Sequence, residues 1–341
     1  MARRPTIADL AKKAGVSVAT VDRVLNSRLP VRGDTADMVV QAAESIGYLT
    51  TGPLKRRPTK IPVLKFGFLL QKRDAFYQLL GQELANVTTA ASDIEGKPII
   101  EFMDELAPPF IVERIRELAP KVDCLALVAV DHHLVNEAVD AVVASGKPVF
   151  TLLSDISTSS KSGHIGLDCR KLGRSAAWTI SRIAHGPGKV GILLGAHRYL
   201  NQELAEFSFR SYMREHAPGF TLMELIINLD NESIAYEAIT HMIERNEELV
   251  AIYACGGGQD SLIRVLRDKR GVRRIVAVCN ELTPTNRSAL FDGTIDLCLG
   301  HPISTMALYL VGVMAKASVA PEIQYFPPKL FSADIYLSEN I

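Results

Sequence analysis

The sequence is poor in reactive and metal-binding patterns. Its five cysteines, Cys124, Cys169, Cys255, Cys279 and Cys298, are scattered without any C-x-x-C spacing. That excludes a paired-thiol redox motif and a thiolate zinc site read from spacing. Four of them lie in or beside apolar strand-like runs, where a free cysteine serves as a small buried hydrophobe of a reducing compartment. No Ser-His-Asp, H-E-x-x-H or paired-carboxylate arrangement stands at a recognisable spacing, and no G-K-[ST] is present. Gly256-Gly257-Gly258 lacks G-x-G-x-x-G order, so tight packing of helix on strand explains it better than a phosphate cradle. No catalytic residue, metal or cofactor is therefore expected. No apolar run approaches the ~18 residues that span a bilayer, and no signal-peptide core is found, so a cytoplasmic protein without a membrane partner is expected.

Net charge is also absent, but its distribution is uneven. Residues 1–60 hold 11 Lys+Arg against 5 Asp+Glu, leaving 27 against 33 for the remainder. A basic N-terminal part favours phosphate contact and counterion release, while an acidic body keeps the rest off DNA. The length of 341 residues suits a small domain plus a large two-lobed one, and 48% hydrophobic residues supports a substantial core.

The stretch that organises the rest is residues 5–26, PTIADLAKKAGVSVATVDRVLN. Thr6 can cap a first helix with Asp9 three residues on, and Gly15 stops it. Ser17 can cap a second helix that begins at Val18. Val21, Val24 and Leu25 share its inward stripe, which leaves Val18, Ala19, Asp22 and Arg23 outward. A helix-turn-helix puts such a face into the major groove, where Arg grips guanine with two hydrogen bonds and small apolar side chains meet a thymine methyl. The alternative is an ordinary amphipathic hairpin with a solvated polar face. A third helix is expected over 34–48, capped by Asp34 or Thr35 and facing inward with Val39, Ala42, Ala43 and Ile46.

The run T-I-A-D-L-A-K-K-A-G-V-S-V-A-T-V-D-R-V-L-N, continuing through Val31-Arg32, Thr35 and Ala42-Ala43-Glu44-Ser45-Ile46-Gly47-Tyr48, resembles the headpiece of the lactose-repressor (LacI/GalR) family of bacterial transcription regulators. The resemblance implies that Val18 and Ala19 stand at the family's variable base-reading pair and Arg23 at its base-contacting arginine. Thr6, Ser17, Thr20 and Asn26 complete the expected DNA-binding set of residues 1–48, and Asp22 departs from the usual serine. Residues 49–62, LTTGPLKRRPTKIP, are a linker or hinge with three prolines and four positive charges. Relatives form a hinge helix there whose leucine wedges into the minor groove. Here Leu54 can supply the wedge, and Lys55, Arg56 and Arg57 are candidates for phosphates.

From residue 63 short apolar runs alternate with helix-length amphipathic segments. Strands are expected at 63–70, 97–102, 124–130, 148–153, 190–194, 222–227, 250–254, 275–278 and 295–299. This alternation predicts an α/β fold: after the small all-α domain, a two-lobed core (63–341) of parallel sheets flanked by helices, with ligands at the strand carboxyl ends. It resembles the type I periplasmic-binding-protein core with which that family senses small molecules. Lobe 1 is expected over 63–162 and 300–326, and lobe 2 over 163–299 and 327–341.

Candidate effector residues follow the strands: Phe76 and Tyr77 for stacking, Asp155 for neighbouring hydroxyls, Arg198 for an anionic group, and Asn280, Glu281 and His301 where relatives place an Asp and a Gln. Asp168 is expected as a helix cap or hinge. The family's clamping arginine is Ala205 here. The reading is a regulator, not an enzyme: a homodimeric repressor that binds double-stranded operator DNA and is released by a small effector. A sugar, polyol or sugar acid is the expected effector, and bacterial cytoplasm, at the nucleoid when on its operator, the expected place. No leucine heptad tail favours a tetramer. The rival is a cytoplasmic α/β enzyme acting on a sugar or nucleotide, with the N-terminal helices as an interaction module.

Overall fold

A computed structural model of the chain describes residues 5–26, 31, 33–46, 48, 61–71, 75–195, 199–228, 231–271, 273–320, 322–323 and 325–341, and of 26, 33, 34, 37 and 44 only the backbone. Two units are present, residues 1–62 and 63–341.

The first unit holds α1 (Ile7–Ala14), α2 (Val18–Asn26) and α3 (Gly33–Ile46). Leu10, Ala11 and Ala14 of α1, Val21 of α2, and Val39, Ala42 and Ala43 of α3 form one buried cluster, against which Val24, Leu25, Ile46 and Tyr48 pack. The third helix begins at Gly33, so Asp34 and Thr35 lie inside it and neither precedes it as the expected cap.

In the second unit the chain runs β1 (Val63–Gln71), α4 (Ala75–Ala90), β2 (Glu95–Met103), α5 (Pro108–Leu118), β3 (Cys124–Leu127), α6 (His133–Ala144), β4 (Val149–Leu152) and β5 (Gly163–Leu167). It repeats with α7 (Cys169–Ile183), β6 (Lys189–Leu194), α8 (Leu200–His216), β7 (Thr221–Ile227), α9 (Glu232–Arg245), β8 (Leu249–Ala254), α10 (Gln259–Asp268), β9 (Val276–Asn280), α11 (Pro284–Phe291) and β10 (Leu297–Gly300). It ends with α12 (Ile303–Val319), β11 (Lys329–Phe331) and β12 (Asp334–Tyr336).

Two six-stranded sheets result, ordered β11-β5-β4-β3-β1-β2 and β12-β10-β9-β8-β6-β7. Every pairing is parallel except β12 on β10. The inner strands are buried on both faces, so their residues alternate between two cores. Phe66, Phe68 and Leu70 of β1 meet Leu80 and Leu84 of α4 and Leu310 and Met314 of α12. Leu69 turns the other way, to Ile111 and Ile115 of α5 and Val135 and Val139 of α6. In the second sheet, α7 and α8 cover one face and α9, α10 and α11 the other. Both sheets reverse their winding between equivalent strands, β1 and β3 in one and β6 and β8 in the other, which opens a crevice at those carboxyl ends.

Three strands were not expected. β5 belongs to the first sheet, as does β11, so the first sheet keeps residues 163–167 and 329–331 that the sequence division gave to the second lobe. The chain changes sheet at three short connections: Asp168, His301-Pro302 and Ser332-Ala333. Asp168 donates its N–H to Phe331 O at 2.8 Å, tying the first connection to the end of β11.

Helices α7 and α8 touch backbone to backbone. A Cβ on Gly173 would stand 2.0 Å from Ala205 O and 2.9 Å from Phe209 N. Gly173→Ala must push the helices apart and is expected to cost about 1–3 kcal/mol of stability, read as a lower urea midpoint. Gly312 lies exposed inside α12 with nothing within 4 Å of its Cβ position. Gly312→Ala should raise that midpoint, by about 0.5–1 kcal/mol, through lower chain entropy in the unfolded state.

Candidate functional site

Two separate sites emerge, one on each unit. In the first, Thr6 and Asp9 form a reciprocal cap: Thr6 N–H donates to Asp9 Oδ2 at 2.9 Å and Asp9 N–H donates to Thr6 Oγ1 at 3.2 Å. Gly15, at φ 68, takes the left-handed turn that ends α1 and donates its N–H to Ala11 O. Ser17 Oγ accepts from Thr20 N–H at 3.1 Å and lies 2.8 Å from Thr20 Oγ1. Capped there and pinned by Val21, α2 exposes Val18, Ala19 and Arg23, with Asp22 half-buried. Among the described residues, Val18, Ala19 and Arg23 of this short helix stay exposed. The Asn26 side chain and Leu54, Lys55, Arg56 and Arg57 lie outside the described residues.

The second site lies at the strand carboxyl ends around the crossing connections. Glu281 follows β9 at φ 63, a left-handed conformation rare outside glycine, and donates its N–H to Leu299 O at 2.9 Å. Leu153, at φ 64 after β4, donates likewise to Ile165 O at 2.8 Å. The two sheets thus carry the same backbone turn at equivalent places. Glu281 Oε1 lies 2.5 Å from His301 Nδ1, and Oε2 accepts from His301 N–H at 3.2 Å. A carboxylate only accepts, so the ring donates from Nδ1 and Nε2 is left for another group. The His301 ring lies 5.5 Å from the Phe76 ring, which meets Tyr77 edge-on at 5.1 Å.

Phe76, Glu281, His301, Ser304, Asp334 and Tyr336 line a hollow of about 270 Å³. That is near the lower bound of about 300 Å³ for small-molecule sites. It combines an aromatic wall, carboxylates and hydroxyls. Burial and the neighbouring Asp334 push the Tyr336 hydroxyl up to about 12, so it stays a neutral donor.

Other expected residues are placed differently. Tyr77 gives its hydroxyl hydrogen to Gln71 Oε1 at 3.2 Å. Asn280 is buried beneath α7 and α8 with Tyr253 and Cys255, and its Nδ2 donates to Cys255 O at 2.7 Å. Asp155 is a partly exposed carboxylate with one of its oxygens engaged by neighbours. Its Oδ1 accepts from Thr151 Oγ1 at 2.7 Å and Ile156 N–H at 2.9 Å, with Lys161 Nζ at 3.3 Å and His164 Nδ1 at 3.6 Å. The partners come from β4, from the Ser/Thr-rich loop after it and from β5, the last of which the sequence did not reveal. Asp168 caps α7, accepting from Lys171 N–H at 3.1 Å. Arg198 lies outside the described residues.

Sequence reasoning missed Gln71 and Gln202. Gln202 Oε1 accepts from Gly195 N–H at 3.2 Å, and its amide sits where a Cβ on Gly256 would be, 2.4 Å away. A Cβ on Gly258, at φ 86, would meet Asn228 Nδ2 at 2.4 Å. Gly256 and Gly258 are thus spent on close approach to side chains. All five cysteines are buried and free, and burial pushes the thiols of Cys169, Cys255 and Cys279 up to about 12. Among the described residues no group of His, Cys, Asp and Glu is placed to hold a metal ion, and no helix is long and apolar enough to cross a membrane.

A two-lobed binding protein with an N-terminal helix-turn-helix is the class this architecture defines. Residues 112–319 match the periplasmic binding protein domain family and residues 6–51 match the bacterial regulatory proteins, lacI family. The chain belongs to the periplasmic binding protein domain family and carries a lacI-family headpiece at its N-terminus. Over 75 residues it is 40% identical to the HTH-type transcriptional regulator GalS of Salmonella typhimurium; the match spans 22% of this chain and only 22% of that curated relative. A solute-binding protein of an ABC transporter from Burkholderia graminis, solved in complex with D-arabinose, superposes with a TM-score of 0.75 at 17% identity over 83% of this chain and 98% of that one. Another from Agrobacterium vitis, bound to alpha-D-tagatopyranose, gives 0.73 at 18% identity over 81% and 95%. These two likenesses are of fold.

The Asp155 cluster has a consequence for pH. Burial holds the His164 imidazole below its ordinary value of 6.5, against the pull of Asp155. The folded chain therefore takes up that proton later than the unfolded chain as pH falls. Stability is fully present above 6.5 and is lost as the pH falls through that value towards the folded-state one. Urea unfolding at pH 7.5 and 5.5 should show the loss, and His164→Gln should flatten the slope between them; an equal slope in the variant would contradict the assignment.

Proposed function

We propose that the chain is a bacterial transcription regulator whose grip on operator DNA is set by a small molecule held between its two lobes. The observation that carries this is the α2 face: a capped helix pinned on one side by Val21, presenting Val18, Ala19 and Arg23 on the other. Two headpieces of a homodimer would enter successive major grooves of a near-palindromic site, where Arg23 reads guanine. The regulator acts in the cytoplasm, binds its ligand and releases it unchanged.

The effector is a sugar, polyol or sugar acid. In support, the hollow by Glu281 and His301 offers an aromatic wall beside groups that accept from hydroxyls, and the structural neighbours were solved with D-arabinose and alpha-D-tagatopyranose. Its binding closes the lobes, changes the spacing of the headpieces and relieves repression. Such a coupling is reciprocal: DNA changes effector affinity by the same factor.

Selection from a random duplex pool should enrich a near-palindromic sequence. Arg23→Ala should bind that sequence about 1–3 kcal/mol more weakly and lose discrimination at one base pair. Wild-type affinity in the variant, titrated by gel shift, would remove Arg23 from the readout.

A further inference from the structure

Helix α7 carries a second surface, unrelated to the effector cleft. Its inner stripe, Cys169, Leu172, Gly173, Ala176, Ala177 and Ile180, is buried. On the outer side Arg170, Arg174, Trp178 and Arg182 follow one another at intervals of four, which places them on one ridge. Trp178 is the chain's one tryptophan and is 52% exposed. Ile183 beside the end of the ridge is 42% exposed. Half-exposed indole is costly in water, and tryptophan and arginine are the residue types that dominate protein interfaces.

The sequence of this stretch is one-sided in charge, although Asp168 pairs with Lys171 and Glu215 with Arg174. Between Asp168 and Glu203 the sequence has no acidic residue, but it has Arg170, Lys171, Arg174, Arg182, Lys189 and Arg198. The stretch stands out in a body whose Asp+Glu otherwise exceed its Lys+Arg. One ridge arginine is already fixed by α8: Arg174 lies over the Tyr212 ring at 5.1 Å and 3.4 Å from Glu215. Arg170 and Arg182 are exposed.

We infer that the α7 ridge is a docking surface for an acidic, amphipathic helix of another protein, whose carboxylates meet Arg170 and Arg182 while one large apolar side chain covers Trp178. A protein is favoured over nucleic acid because the indole needs an apolar counterpart, and because the net-acidic body repels a long polyanion. None of Arg170, Trp178 and Arg182 lines the hollow by Glu281 and His301, so the inference stands or falls separately from the effector reading.

The single tryptophan makes the test direct, since all tryptophan emission of the full-length chain comes from the ridge. The probe is a synthetic helical peptide of glutamate and leucine, compared with its glutamine-for-glutamate counterpart and with a random-sequence duplex. The glutamate peptide should move Trp178 emission to shorter wavelength saturably and shield it from acrylamide, more weakly as salt rises. R170E/R182E should bind it roughly tenfold more weakly, and the milder R170Q/R182Q should also weaken it, both with unchanged circular dichroism. Four results would overturn the proposal: no shift with the glutamate peptide; equal affinity in both variants; a shift with duplex alone, which marks a nucleic-acid surface; or a shift on concentrating the protein alone, which marks contact between copies.

Discussion

The structure depends on a constraint of chain direction. Strands joined by right-handed β-α-β crossovers all point the same way, so their carboxyl ends gather on one edge of each sheet. Here two such sheets are tied by three connections of one or two residues, at Asp168, His301-Pro302 and Ser332-Ala333. The second of these carries His301, which faces Glu281 at the end of one sheet's β9 and the Phe76 ring on α4 of the other. A binding hollow forms beside a hinge because the residues that cross between lobes are also the residues at strand ends.

Strain and burial mark the same places. Among the described residues, the two non-glycine positions with positive φ are Leu153 and Glu281, at equivalent turns after β4 and β9. Such backbone costs of order 1–3 kcal/mol and persists where surrounding structure dictates it. In lobe 1 the turn leads into a polar cluster around Asp155 Oδ1. In lobe 2 it presents a carboxylate to His301. One topology thus places a carboxylate near the same turn in each lobe, with different partners.

Much of this was legible in the sequence. Thr6 with Asp9, and Ser17 before Val18, announce two helix starts through short-range capping that needs no tertiary context, and alternating apolar runs announce the doubly wound sheets. β5 was missed because Gly163, His164 and Gly166 interrupt any apolar run; those glycines allow close approach, since a Cβ would stand 3.0 Å from Phe326 O at Gly163 and 2.9 Å from Leu153 O at Gly166. β11 and β12 are three residues each, too short for a period to show. For Asp155 and Asn280 the sequence shows a polar residue at a strand end but not its partners, Thr151, Lys161 and His164 on Asp155 Oδ1 and Cys255 O on Asn280 Nδ2.

The central claim is that a ligand between the lobes and a duplex on the headpiece are linked. Its most direct measurement is the affinity of the full-length chain for its selected duplex with and without a sugar, polyol or sugar acid that raises its melting temperature, paired with that ligand's affinity with and without duplex. The account predicts that both affinities change by the same factor, well away from one. A ligand that stabilises the chain yet leaves duplex affinity unchanged would contradict it.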